Sequence, residues 1–109
     1  VLVNLAQLCQ DEIRTVDILA RYGGEEFIIL MPDSTLEAAK NAAERLREKV
    51  AKTNLTEGKI DLRITISLGV SAWDSVEEID LEHFIDQADQ ALYQSKAGGR
   101  NRVTVFSKE

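Results

Sequence analysis

Two adjacent glutamates, Glu25 and Glu26, follow two glycines, Gly23 and Gly24, in the stretch RYGGEEF. Paired carboxylates suit Mg²⁺, a hard cation that takes one or two carboxylates and completes its octahedron with substrate phosphates and water. The glycines let a nucleotide approach the main chain with no Cβ in the way. A plainer reading is a β-hairpin with a solvated acidic tip, and taken alone the stretch favours it.

Two further groups carry charge at suggestive spacing. Lys96, Arg100 and Arg102 surround Gly98-Gly99, where cations around a turn can cradle a triphosphate. Equally, basic residues favour a helix C-terminus through the macrodipole, with glycine as the stop signal. Arg14 and Asp17, three apart, could form an ordinary surface ion pair of little energetic weight. They could also serve a guanine ligand, the arginine forking onto phosphate or stacking on the base and the aspartate accepting from the base N–H groups. His83, beside Glu82, reads as a surface residue, and Trp73 as a packing anchor. Glu77-Glu78-Ile79-Asp80 suits the approach to a helix N-terminus. The single histidine and single cysteine are far apart, which leaves no Ser/His/Asp or Cys/His arrangement.

These residues need elements to hold them. Leu2, Leu5, Cys9 and Ile13 fall at helical spacing over residues 1–13. Asp17–Arg21 reads as a strand, and FIILM (27–31) as a second one buried on both faces, the two forming a hairpin around Gly23-Gly24. Ser34 stands three residues before Glu37, the spacing of a capping box, and Leu36, Ala39, Ala43, Leu46 and Val50 continue an amphipathic helix to about Thr53-Asn54. Strict alternation predicts a strand over Leu62–Val70. A helix is expected from about Asp80, with Leu81, Phe84, Ile85, Ala88, Ala91 and Leu92 on one face. Gly98-Gly99 ends it, and Arg102–Phe106 closes as a strand. The expected class is α+β, a mainly antiparallel sheet covered by helices.

The 109 residues fit one domain over 1–109. The net charge of −6 argues against a nucleic-acid polymer as partner but not against a single nucleotide met by a few local cations. No apolar run spans a bilayer and VLVNLAQLC lacks a basic leader, so no membrane segment or signal peptide is expected. A lone cysteine with apolar neighbours points to a buried thiol in a reducing, cytoplasmic setting.

Together RYGGEEF, ITISLGVSAW and ADQALYQSKAGGRNRV resemble, in order and spacing, three segments of the GGDEF family of diguanylate cyclases, over Val1 to about Phe106. The resemblance implies a nucleotide-cyclase or polymerase-palm-like fold and condensation of two GTP into cyclic di-GMP and two pyrophosphates with Mg²⁺ or Mn²⁺. By position it implies that Glu25 holds metal and acts as base for the ribose 3′-hydroxyl, with Glu26 a supporting acid at the same metal. Gly23 and Gly24 would line the nucleotide, and Lys96 and Arg100 would contact phosphates. Arg14 and Asp17 match the family's RxxD inhibitory site, with Arg45 a further arginine on the same ligand, which implies product inhibition by cyclic di-GMP.

Val1 has no N-cap before it, and the first central strand of the family, with its metal-binding aspartate and the guanine contacts after it, has no counterpart here. The expectation is a domain truncated at its N-terminus. Such a chain is inactive alone, and its open sheet edges, between FIILM and ITISLGV, invite a homodimer. Rival readings are a cyclic di-GMP-binding sensor without catalysis, a structural fragment that binds neither ligand, and a nucleotide cyclase or polymerase palm of other specificity.

Overall fold

The computed structural model describes residues 2–13, 17–21, 27–31, 34–54, 63–73 and 80–107. Their order is α1 (Leu2–Glu12), β1 (Ile18–Arg21), β2 (Phe27–Leu30), α2 (Leu36–Lys52), β3 (Leu68–Val70), α3 (Leu81–Ala97) and β4 (Val103–Val105). This is the order that the hydrophobic periods predict.

The core forms where α1 meets α2. Leu5 and Cys9 pack against Leu46 and Val50, and Phe27, Ile29, Ile64, Ile66 and Leu68 close the cluster from the strand side. Val50 is fully buried, which is worth roughly 1.5–3 kcal/mol for a side chain of this kind. An ion pair from Lys49 to Glu12 ties the two helices at their rim, and that hydrogen bond and charge hold the Lys49 pKa above its ordinary value.

Burial pushes the Cys9 thiol pKa up. The fold therefore favours the neutral thiol, a contribution present at neutral pH and lost as pH rises past the ordinary thiol pKa. Cys9 should accordingly react with iodoacetamide at least about tenfold more slowly in the native chain than in urea, because only exposed thiolate attacks. Equal rates by mass spectrometry would place Cys9 outside the core.

Helix α2 starts one residue later than the capping-box spacing predicts. Thr35, not Ser34, is the N-cap; its Oγ1 accepts from the Ala38 N–H at 3.1 Å. With alanine at that third position no side chain can return the bond, so the cap is one-sided. At α3 the cap falls as expected, with Asp80 Oδ1 accepting from the His83 N–H at 2.7 Å.

Two strand pairs are present among the described residues. β1 and β2 are antiparallel with Ile18 opposite Leu30 and Arg21 opposite Phe27. β3 and β4 are parallel with Leu68 opposite Val103 and Val70 opposite Val105. A parallel pair needs a long crossover, and α3 supplies it. The helix lies so close to β3 that a Cβ on Gly69 would stand 2.2 Å from the Ala88 carbonyl oxygen and 2.2 Å from the Leu92 nitrogen. The fully buried Ser95 donates its hydroxyl to the Leu68 carbonyl at 2.7 Å and lies 2.6 Å from Thr104 Oγ1. Ser71 donates to the Phe84 carbonyl at 3.1 Å. These contacts fix where α3 runs and so where it ends.

Four further sequence expectations change. The strand predicted over Leu62–Val70 narrows to Leu68–Val70; Leu62 lies outside the described residues. Ile64 and Ile66 still turn to the core while Arg63 and Thr65 are exposed, so the alternation is honoured, but the short β4 partners only the last three residues. The FIILM run is half-buried rather than buried on both faces, because β2 pairs only with β1 among the described residues. Trp73 is 52% exposed, so it is no core anchor. On α3 the deepest line runs through Gln87, Ala91 and Ser95, while Leu81 is exposed.

Candidate functional site

The signature residues Gly23, Gly24, Glu25 and Glu26 lie outside the described residues, and so does Arg14. What the structure gives is their frame. The β1–β2 register closes on Arg21 opposite Phe27, so the signature joins two strands that are already paired. Asp17 is buried immediately before β1, and Arg45 is exposed on α2.

The basic group after α3 is described in full. Lys96 is exposed in the last turn of α3 and Arg100 is exposed in the turn that follows. Gly98 caps the helix, its N–H donating to the Gln94 carbonyl at 2.9 Å, and the Arg100 N–H donates to the Ser95 carbonyl at 2.9 Å. The chain then reverses toward β4 through three consecutive residues of positive φ: Gly99 at 121°, Arg100 at 64° and Asn101 at 47°. Glycine adopts this region freely and asparagine tolerates it, but an arginine there costs roughly 1–2 kcal/mol.

Two other arginines hold the turn. Arg102 Nε donates to the Arg100 carbonyl at 3.2 Å. Its guanidinium lies across the glycines, so that a Cβ on Gly98 would stand 2.9 Å from Arg102 Nη1 and one on Gly99 2.7 Å from Arg102 Nη2. From α2, Arg47 Nη1 donates to Asn101 Oδ1 at 3.2 Å, while Arg47 Nη2 meets Glu44 at 3.3 Å and Glu48 at 3.9 Å. Sequence reasoning placed Lys96, Arg100 and Arg102 around the turn but missed Arg47 and Asn101. The available signal was weak: Arg47 stands two residues after Arg45, and Asn101 sits between two arginines where a left-handed residue is needed.

Among the described residues no group of three or more His, Cys, Asp or Glu side chains could hold a metal ion. Glu25 and Glu26 lie outside those residues; as carboxylates they offer oxygen donors, which suit a hard divalent cation and not a thiolate- or imidazole-seeking one. Also among the described residues, no helix is long and apolar enough to cross a membrane.

Comparison with known proteins brings these features together. The family model for the diguanylate cyclase GGDEF domain matches residues 1–102. The chain is 40% identical over 108 residues to diguanylate cyclase A of Treponema denticola, covering 96% of this chain and 28% of that protein. It is 42% identical over 105 residues to the response regulator PleD of Caulobacter vibrioides, covering 94% of this chain and 23% of PleD. Among solved structures, the active GGEEF domain of a diguanylate cyclase from Vibrio cholerae superposes with a TM-score of 0.88 at 32% identity, over 99% of this chain and 67% of that one. The chain thus spans about a quarter of the length of these curated relatives. The match over residues 1–102, nearly the whole chain, makes this chain a member of the GGDEF-domain family.

Proposed function

We propose that this chain forms the metal- and phosphate-binding portion of a diguanylate cyclase domain, in which two GTP become cyclic di-GMP and two pyrophosphates. The observation that carries this reading is the pairing of an intact GGEEF segment with an exposed Lys96/Arg100 turn, in a chain 40% identical to a diguanylate cyclase.

The division of labour follows from charge. Glu25 and Glu26 would hold Mg²⁺ or Mn²⁺, which supplies charge stabilisation on the α-phosphate and on the departing pyrophosphate. Glu25 takes the proton of the ribose 3′-hydroxyl as that oxygen bonds to the α-phosphorus of the second GTP. Gly23 and Gly24 admit the nucleotide to the main chain. Lys96 and Arg100 face the β- and γ-phosphates, where positive charge favours the leaving group. The product has two identical phosphodiester bonds, so two copies of the domain, each with one GTP, meet across it.

Arg14, Asp17 and Arg45 form a separate site for cyclic di-GMP in this reading, and product bound there lowers turnover. If product binding disfavours the catalytic arrangement of the domains, that arrangement in turn weakens product binding. Among the described residues β2 and β3 both pack on the α1–α2 layer without pairing with each other, which is compatible with a further central strand bearing another acidic ligand between them. In this reading turnover needs that further ligand.

The test is direct. A domain that includes the additional strand, given GTP and Mg²⁺, should release pyrophosphate and cyclic di-GMP, while the 109-residue chain should release neither. Calorimetric titration with cyclic di-GMP should show binding that Arg14→Ala weakens at least about tenfold, the weight of a charged hydrogen bond. Binding without turnover in the larger domain would make the protein a sensor. No binding by either form would remove the inhibitory-site assignment.

A further inference from the structure

We propose that Arg102 and Arg47 are positioning residues for Arg100, acting on the nucleotide only by fixing the turn that presents it. The proposal rests on the reading of Arg100 as a phosphate contact. It starts from the backbone: of the three consecutive positive-φ residues, Arg100 at 64° is the one least suited to that region. A residue held in a sparsely populated conformation persists only where its surroundings over-determine it.

The surroundings are two clamps with Arg100 between them. On one side the Arg102 guanidinium lies over Gly98 and Gly99, at 2.9 Å and 2.7 Å from their would-be Cβ positions, and its Nε holds the Arg100 carbonyl at 3.2 Å. On the other side Arg47 reaches from α2 to Asn101 Oδ1 at 3.2 Å. Its side chain is only 20% exposed and is itself steadied by Glu44 and Glu48. Those carboxylates neutralise Arg47, so it offers a phosphate little charge of its own. What it offers is a fixed point on α2. Arg102 needs its planar fork, because a lysine in that place could not span both glycines and reach the carbonyl at once.

Acting through Arg100 has a signature that independent contacts lack: the effects do not add. In the domain that includes the additional strand, with GTP and Mg²⁺, Arg100→Ala should raise KM at least about tenfold. Arg102→Ala and Arg47→Gln should each raise it several-fold, with Arg102→Lys no better than alanine. Adding either change to Arg100→Ala should then alter KM less than about twofold. Affinity for cyclic di-GMP should stay at the parent value in every variant, which keeps global misfolding out of the comparison. If Arg102→Ala is too unstable to assay, the Arg47→Gln cycle on α2 decides. Two results overturn the proposal while leaving the phosphate reading intact: unchanged KM in both clamp variants, or double variants that equal the product of the singles. A KM insensitive to Arg100→Ala overturns the phosphate reading itself and the proposal with it.

Discussion

Alanine at Gly69 should destabilise the fold by about 3 kcal/mol or more, an overpacking cost at the upper end of its usual range. The added methyl would stand 2.2 Å from the Ala88 carbonyl oxygen, 2.2 Å from the Leu92 nitrogen and 2.8 Å from the Leu92 Cα. All three are main-chain atoms of α3, so no rotamer change relieves the clash. The helix must lift from β3, and lifting it breaks the Ser95 hydrogen bond to Leu68 and the Ser71 hydrogen bond to Phe84. Total stabilities of small domains are about 5–15 kcal/mol, so a large share would be lost. The sign is informative, because in a strand with room alanine in place of glycine gains roughly 0.5–1 kcal/mol. Gly98→Ala is the matched control. Its methyl would stand 2.9 Å from Arg102 Nη1, the end of a flexible side chain, and 3.1 Å from the Gln94 carbonyl oxygen, where a shift of a few tenths of an ångström suffices, and its φ of −81° suits any residue. Urea midpoints should fall far for Gly69→Ala and by less than about 1 kcal/mol equivalent for Gly98→Ala. An unchanged midpoint for Gly69→Ala would mean that α3 does not sit on β3 as described.

The same close packing explains what the sequence could and could not disclose. Helical periods located α2 and α3 because each buries one face against strands, and Gly98-Gly99 marked the end of α3, with Gly99 supplying the positive φ that turns the chain away. The strand over residues 63–67 was legible in its side chains and not in its hydrogen bonds. Alternation is a property of one segment, whereas a ladder also needs a neighbour, and β4 reaches only Leu68–Val70. Trp73 misled for a related reason: its size suggests burial, but nothing in one sequence says which side of a strand end faces solvent. The basic turn was legible as charge around two glycines. Its left-handed path through Arg100 and Asn101, and the reach of Arg47 across 54 positions of sequence to Asn101, were not. Such contacts are set by how α2 and α3 each pack on β3 and β4, which no local pattern encodes. The acidic pair was legible only as residue types beside two glycines, a pattern that a solvated hairpin tip shares.

Glu25→Gln should abolish cyclic di-GMP formation in the domain that includes the additional strand, by about a thousandfold or more. The substitution keeps the size and shape of the side chain and removes its negative charge. In the proposed site that one change has two consequences. A neutral amide is a far weaker ligand for a hard divalent cation than a carboxylate, and it cannot take the 3′-hydroxyl proton, a loss worth about 10²–10⁴-fold by itself. Glu26→Gln, at the supporting position, removes only part of the metal's charge compensation and should cost less. The fold should not notice either change. The pairing of Ile18–Arg21 with Phe27–Leu30 uses main-chain atoms outside the signature, so stability should shift by no more than about 0.5 kcal/mol. Cyclic di-GMP should bind the Glu25→Gln domain at least as tightly as the parent, because the Arg14, Asp17 and Arg45 site does not include it. The measurement is pyrophosphate release under saturating Mg²⁺ and GTP, alongside a cyclic di-GMP titration of the same preparation. Turnover within tenfold of the parent would show that Glu25 neither holds the metal nor takes the proton, and the acid pair would revert to a solvated hairpin tip. Turnover lost together with cyclic di-GMP binding would instead mean that the two sites share structure, contrary to the separation proposed between the signature and Arg14.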